Sequence, residues 1–226
     1  MLVNPEEAIR VLLVEGQDDK HTVWQLCRVH PAWFSVTRKI HDLSVILQSN
    51  SQAFAIKEMG NQSDLITAIP VEVQVPDRQV LGIVLDTDQD LKECWAKVKE
   101  GFLQAGITLP TDPDPSGTIV PEQNFQPRIG IWLMPDNRSH GELENFALSM
   151  VPCHDLVWPS SQDYVDNIPD HNRKFEPGKT EKAKFYAWLA TRKEPARTGA
   201  AIGSGDLEIN GALCREFVMW LVKLFG

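Results

Sequence analysis

The chain has 226 residues, a 42% hydrophobic share and a formal net charge of −9, which suits one large globular domain with a sizeable core and excludes a disordered or fibrous chain. Residues 1–7 lack the basic region and apolar core of a signal peptide, and no apolar run approaches the roughly 18 residues of a membrane helix, so a soluble, cytoplasmic protein without membrane contact is expected. Cys27, Cys94, Cys153 and Cys214 include no Cys-x-x-Cys pair, which argues against a zinc site or a disulfide framework and for reduced core residues.

Val11 to Val14 is a continuous apolar run of the kind found in a strand buried on both faces, ending on Glu15 and a turn at Gly16. Residues 18–29 follow with helical spacing and stop at Pro31. Residues 33–52 predict a short strand near Val36 and then a turn or helix around 43–47. A second core strand is expected at 53–59, a short helix at 62–69, and a linker at 70–78. Residues 80–85 predict a strand ending on Asp86, and 91–104 a helix closed by Gly106. The Pro, Asp, Ser and Gly of 109–126 suggest an irregular excursion. Strand character returns at 128–134, followed by a polar turn and a helix over 142–150.

Alternation of strands and helices predicts a mainly parallel sheet with helices on both faces. Beyond Pro152 the pattern becomes helical and irregular, with helices expected at 179–191 and 213–225 and a Gly/Ala-rich loop at 195–206. The whole chain therefore reads as a single domain, with a core over about residues 8–150 and a C-terminal helical and basic elaboration over about 151–226. That elaboration is expected to pack on the same sheet.

An acidic chain argues at first against nucleic acid as a partner. The average hides an asymmetry: residues 171–197 hold eight Lys/Arg against three acids, a local balance of +5 that leaves −14 for the rest. A phosphate-bearing substrate is compatible with that distribution.

Three groups of acids carry the chemistry. Glu15 closes the first strand, with Asp19 four residues on; Asp18 is expected to point elsewhere around the helix. Asp86, Asp88 and Asp90 alternate after the central strand, and in extended backbone residues two apart share a face. Asp136, Glu142 and Glu144 follow the strand over 128–134, with Glu142 and Glu144 on different helix faces so that one of them at most would be a ligand. In a parallel sheet the carboxyl ends of the strands form the ligand crevice. Acids converging there repel one another unless a cation lies between them, and Mg²⁺ or Mn²⁺ fits oxygen ligands. The bland readings are first-turn acids opposing a helix dipole and a solvated acidic turn. The six histidines show no ligand spacing, and His140 reads as a loop residue.

Val14-Glu-Gly-x-Asp-Asp19, Asp86-x-Asp-x-Asp90 and a later Leu-Glu resemble a Toprim domain, the metal-binding module of topoisomerases, bacterial primases and OLD-family nucleases. Gly130-Ile-Trp-Leu-Met-Pro-Asp-Asn137, the Lys182 to Ala190 run and Phe217-x-x-Trp-Leu221 resemble further a family of small uncharacterised bacterial proteins with a stand-alone Toprim-like core. The resemblance implies a Toprim-like α/β fold in which Glu15, Asp86 and Asp88 hold a catalytic metal. It also implies that Asp19, Asp90 and either Glu142 or Glu144 serve a second ion, and that Lys182 steadies a scissile phosphate, with Lys184 the competing choice.

Two ions about 4 Å apart suit phosphodiester hydrolysis of nucleic acid. Two alternatives stand beside it: a metal- and nucleic-acid-binding module that is not itself an enzyme or needs a separate ATPase partner, and a small-molecule phosphohydrolase. Gly178-Lys-Thr180 does not complete a phosphate loop, because Arg173 stands where glycine is required. Tyr164 and Tyr186 lack the large gate that topoisomerase chemistry needs.

Overall fold

A computed structural model describes residues 8–30, 33–39, 42–48, 52–123, 126–195 and 197–226. The expectations placed on residues 1–7 and on Pro31 lie outside the described residues. In chain order the elements are β1 (Arg10–Val14), α1 (Gln17–Val29), β2 (Phe34–Lys39), β3 (Asp42–Leu47), β4 (Ala53–Glu58), α2 (Gln62–Val73), β5 (Val80–Asp86) and α3 (Leu91–Gln104). They continue with β6 (Thr118–Val120), β7 (Arg128–Met134), α4 (Leu143–Leu148), α5 (Trp158–Asp166), α6 (Thr180–Leu189), α7 (Thr198–Ser204) and α8 (Ala212–Phe225).

The strands form one mixed seven-stranded sheet in the order β2-β3-β4-β1-β5-β7-β6. Its centre, β4-β1-β5-β7, is parallel, and β2, β3 and β6 add antiparallel edges. Side chains alternate across the pleat, so Leu12 and Val14 of β1 join one apolar layer while Val11 and Leu13 join the other. The first layer is covered by residues of α1, α4, α6, α7 and α8, the second by residues of α2 and α3. Trp132, Trp188 and Trp220 are fully buried in the first layer, as a core role for tryptophan requires. Residues 151–226 thus contribute to the same core as β1 and β5. Among the described residues no helix is long and apolar enough to cross a membrane.

Two glycines let α8 lie on the sheet. Gly82 and Gly130 are partners in register on β5 and β7. A Cβ on Gly130 would stand 2.3 Å from Leu224 Cδ2, and one on Gly82 would stand 2.6 Å from Leu12 Cδ1 and 2.9 Å from Leu224 Cδ2. Hydrogen at both positions is what admits the Leu224 side chain.

Four expectations differ from the structure. Residues 43–47 lie in β3, a strand hydrogen-bonded to β2 and β4, because pairing on both sides outweighs weak local preference. The expected linker begins late, since α2 runs through Pro70 to Val73. Proline removes the N–H that would meet the carbonyl four residues back, Ile66, and Gly101 of α3 packs against that oxygen. The excursion over 109–126 contains β6, and the Gly/Ala-rich loop contains α7. Gly199 explains α7: an added Cβ would lie 3.0 Å from the His21 carbonyl, so the glycine brings α7 backbone against α1.

Candidate functional site

The parallel strands β1 and β5 are adjacent, with Val14 opposite Val84, so their carboxyl ends deliver Glu15 and Asp86 to one edge. Glu15 Oε1 accepts a 2.6 Å hydrogen bond from the Asp86 amide. Asp86 Oδ1 accepts one of 2.9 Å from the Leu143 amide, which ties the end of β5 to the start of α4. Asp19 is buried and Asp18 exposed; Asp19 Oδ2 accepts from the Gly16 amide at 3.0 Å, which closes the turn between β1 and α1.

The turn after β5 is clamped by a residue that the pattern of acids does not advertise. Thr87, 2% exposed, donates through Oγ1 to the Met134 carbonyl at 2.9 Å, and its oxygen accepts from the Gly141 amide at 2.7 Å. The Thr87 and Asp88 amides both donate to the Gly141 carbonyl, at 2.9 and 3.0 Å. Asp88 adopts a left-handed backbone, φ 49°, a conformation that Asp tolerates better than most residues. Gln62 Nε2 donates to the Asp86 carbonyl at 2.7 Å from the opposite side.

The electrostatics follow from this crowding. Burial, followed by the charges of Asp19, Asp88 and Glu142, pushes the Glu15 carboxyl up to about 7 despite its bond from the Asp86 amide. Burial, together with Glu144 and Asp18, raises Asp19 to about 6. Asp86 lies well above the usual carboxylate range, through burial and then the charges of Asp19, Glu15, Glu144 and Glu142. Acids from three stretches of chain, 15–19, 86–88 and 142–144, therefore stand in one field.

Glu142 and Glu144 are both buried, at 7% and 6% exposure. The expectation that helix geometry would separate them assumed two helical residues. Glu142 is instead the extended residue before the helix, φ −132° and ψ 174°, and both carboxylates reach the same ammonium: Lys182 Nζ lies 2.8 Å from Glu142 Oε2 and 3.1 Å from Glu144 Oε1. Lys179, in the 3-10 turn Pro177–Lys179, reaches Glu142 Oε1 and, at 3.4 Å, Asp88 Oδ1. Burial alone would raise Glu142, but hydrogen bonds from Lys179 and Lys182 outweigh it and hold the carboxyl below its usual value. The Tyr186 hydroxyl donates to Glu144 Oε1 at 3.0 Å.

The remaining expected residues lie apart. Asp90 caps α3, with Oδ1 accepting from the Lys92 and Glu93 amides at 2.8 and 3.0 Å; those bonds lower its pKa. Asp136 Oδ1 closes its own turn by accepting from the Arg138 and Ser139 amides. Lys184 pairs with Asp166 and Glu181, both at 3.1 Å, away from the crevice acids. His140 is an exposed loop residue. Cys27, Cys94 and Cys214 are buried free thiols, whereas Cys153 is exposed. The basic stretch is largely paired internally: Arg173 with Asp170, Lys179 and Lys182 with the crevice acids, Lys184 as above, and Arg192 with Asp155.

The donor set at the crevice consists of hard oxygens, which suits Mg²⁺ or Mn²⁺ in chemistry. As arranged, however, no three His, Cys, Asp or Glu side chains among the described residues stand close enough to hold an ion. Their oxygens face backbone amides, lysines and a tyrosine instead.

Fold and crevice together define an α/β protein with buried carboxylates gathered at the carboxyl edge of a parallel sheet core. The chain belongs to the family described as "Protein of unknown function (DUF3226)", whose profile matches residues 9–226. No curated protein and no solved structure matches it.

Proposed function

We propose that the crevice binds Mg²⁺ or Mn²⁺ and supports phosphodiester hydrolysis of nucleic acid, in the manner of the Toprim-like domains that the motifs resemble. The observation that carries this reading is the direct bond between the Asp86 amide and Glu15 Oε1, 2.6 Å, inside a field of four further acids. Burying like charges together raises their free energy in the ion-free protein, and a divalent cation is the simplest agent that reverses the penalty.

Glu15 and Asp86 would hold the ion, with Asp19, Asp88, Glu142 and Glu144 next in reach of the same field. Such an ion, when bound, supplies an activated water and neutralises charge on a phosphate. Lys182 would present a positive group at the rim, and Tyr186 fixes the orientation of Glu144. Small-molecule phosphate esters are the alternative substrate class.

A second reading, binding without cleavage until a separate polypeptide is supplied, is favoured by the internal pairing of the basic stretch. The test incubates the purified protein with supercoiled plasmid, single-stranded DNA and a chromogenic phosphomonoester in Mn²⁺. Nicking lost in Asp86→Ala supports the nuclease; nicking unchanged in Asp86→Ala sinks the assignment. Turnover of the monoester without any DNA binding at low salt, where a polyanion binds most tightly, selects the phosphohydrolase.

A further inference from the structure

Lys179 lies in Gly178-Lys-Thr180, which completes no phosphate loop, yet it makes the contact that joins Glu142 at the start of α4 to Asp88 in the turn after β5. We propose that Lys179 is a tethered counter-ion that closes the crevice in the ion-free protein and withdraws when a divalent cation binds. This inference rests on the metal-binding reading above and adds a switch to it.

The geometry supplies the reason. Lys179 Nζ holds Glu142 Oε1 and Asp88 Oδ1, and Lys182 Nζ holds Glu142 Oε2. Both oxygens of Glu142 are thus engaged by ammonium groups, and an ion that draws on Glu142 must displace one of them. Lys182 is the harder one to move, because it stands within α6 and bridges two buried glutamates at 2.8 and 3.1 Å. Lys179 bridges one buried glutamate to an exposed aspartate at 3.4 Å, and residues 176–178 before it are exposed. Its turn is secured locally, by the Lys179 amide donating to the Glu176 carbonyl at 2.8 Å, so the side chain can leave without unpacking α6. An ammonium brings one charge to Glu142 and Asp88 where a divalent ion brings two, and attraction scales with charge.

A closed crevice lowers apparent metal affinity by the fraction of molecules that are open. Removing the tether raises that affinity.

The experiment measures Mn²⁺ binding to the full chain by calorimetry and electron paramagnetic resonance for wild type, Lys179→Gln, Lys182→Gln and Asp86→Asn. In parallel, acetylation rates of individual lysines are followed by mass spectrometry with and without saturating Mn²⁺. The expected result is that Lys179→Gln binds Mn²⁺ about tenfold more tightly, a closed state favoured roughly ninefold, and that Mn²⁺ speeds acetylation of Lys179 but not of Lys182.

If Asp86→Asn abolishes binding while Lys179→Gln binds no more tightly than wild type, the tether is wrong and the metal crevice stands. Unchanged or slower Lys179 acetylation in Mn²⁺ also overturns the tether, since loss of a charge alone would tighten binding without moving the side chain. If no variant, Lys179→Gln included, binds Mn²⁺, both the tether and the reading beneath it fall.

Discussion

Replacing Glu15 with Gln removes a charge that the crowded crevice is poorly built to carry while keeping an oxygen to accept from the Asp86 amide. The wild-type carboxyl is pushed from an ordinary 4.5 to about 7. The native state therefore holds its proton up to about pH 7, whereas the unfolded chain releases it near 4.5. Between those values the native state binds more protons, and stability falls as pH rises through the window. Gln has no proton to lose, so its curve lacks this decline. At about 1.4 kcal/mol per tenfold change in proton affinity the ceiling is about 3 kcal/mol, and because the carboxyl is only partly buried, solvent screening reduces it to about 1–2 kcal/mol. For a chain of this size that corresponds to roughly 2–8 °C in Tm.

The assay is thermal unfolding followed by circular dichroism in EDTA at pH 5 and pH 8. Glu15→Gln is expected to exceed wild type at pH 8, with a much smaller margin at pH 5. Under the proposed metal-binding function, added Mn²⁺ should reverse the order, because a bound ion would stabilise only a chain that keeps the carboxylate. A variant no more stable than wild type at pH 8, or equally favoured at both pH values, would show that the Glu15 charge does not burden the fold.

Gly130→Ala places a methyl 2.3 Å from Leu224 Cδ2; overpacking of this kind costs about 1–3 kcal/mol, read as a lower urea midpoint at unchanged slope. Asp90→Ala removes the oxygen that accepts from the Lys92 and Glu93 amides; Tm should fall while Mn²⁺ affinity stays within about twofold, since a lost cap acts on its helix alone. A large loss of Mn²⁺ binding in that variant would return Asp90 to the crevice.

The elements that could be read from the residues were those whose periodicity matches their burial. Val11 to Val14 and Val80 to Leu85 are apolar throughout and lie in the central parallel strands. The strand-end acids were legible for the same reason, because a buried run that stops on a carboxylate marks the edge of the sheet. What was not legible depends on partners distant in sequence. The segment Thr-Gly-Ala-Ala-Ile-Gly-Ser has weak helix preference and forms α7 where Gly199 allows contact with α1. β3 requires β2 and β4 on its two sides. At the site, Lys179 and Tyr186 acquire their contacts only when residues 176–189 pack over Glu142 and Glu144. The local excess of positive charge was plain in the composition, but its internal pairing with Asp155, Asp166 and Asp170 was not.

Anomalous scattering from a crystal of the protein soaked in Mn²⁺ would locate an ion in the crevice. A peak is expected within coordination distance of oxygens from both Glu15 and Asp86, and none in crystals of Asp86→Asn. A wild-type crystal with no peak there, and with the Asp86 amide still donating to Glu15 Oε1 at 2.6 Å, would rule out the metal crevice.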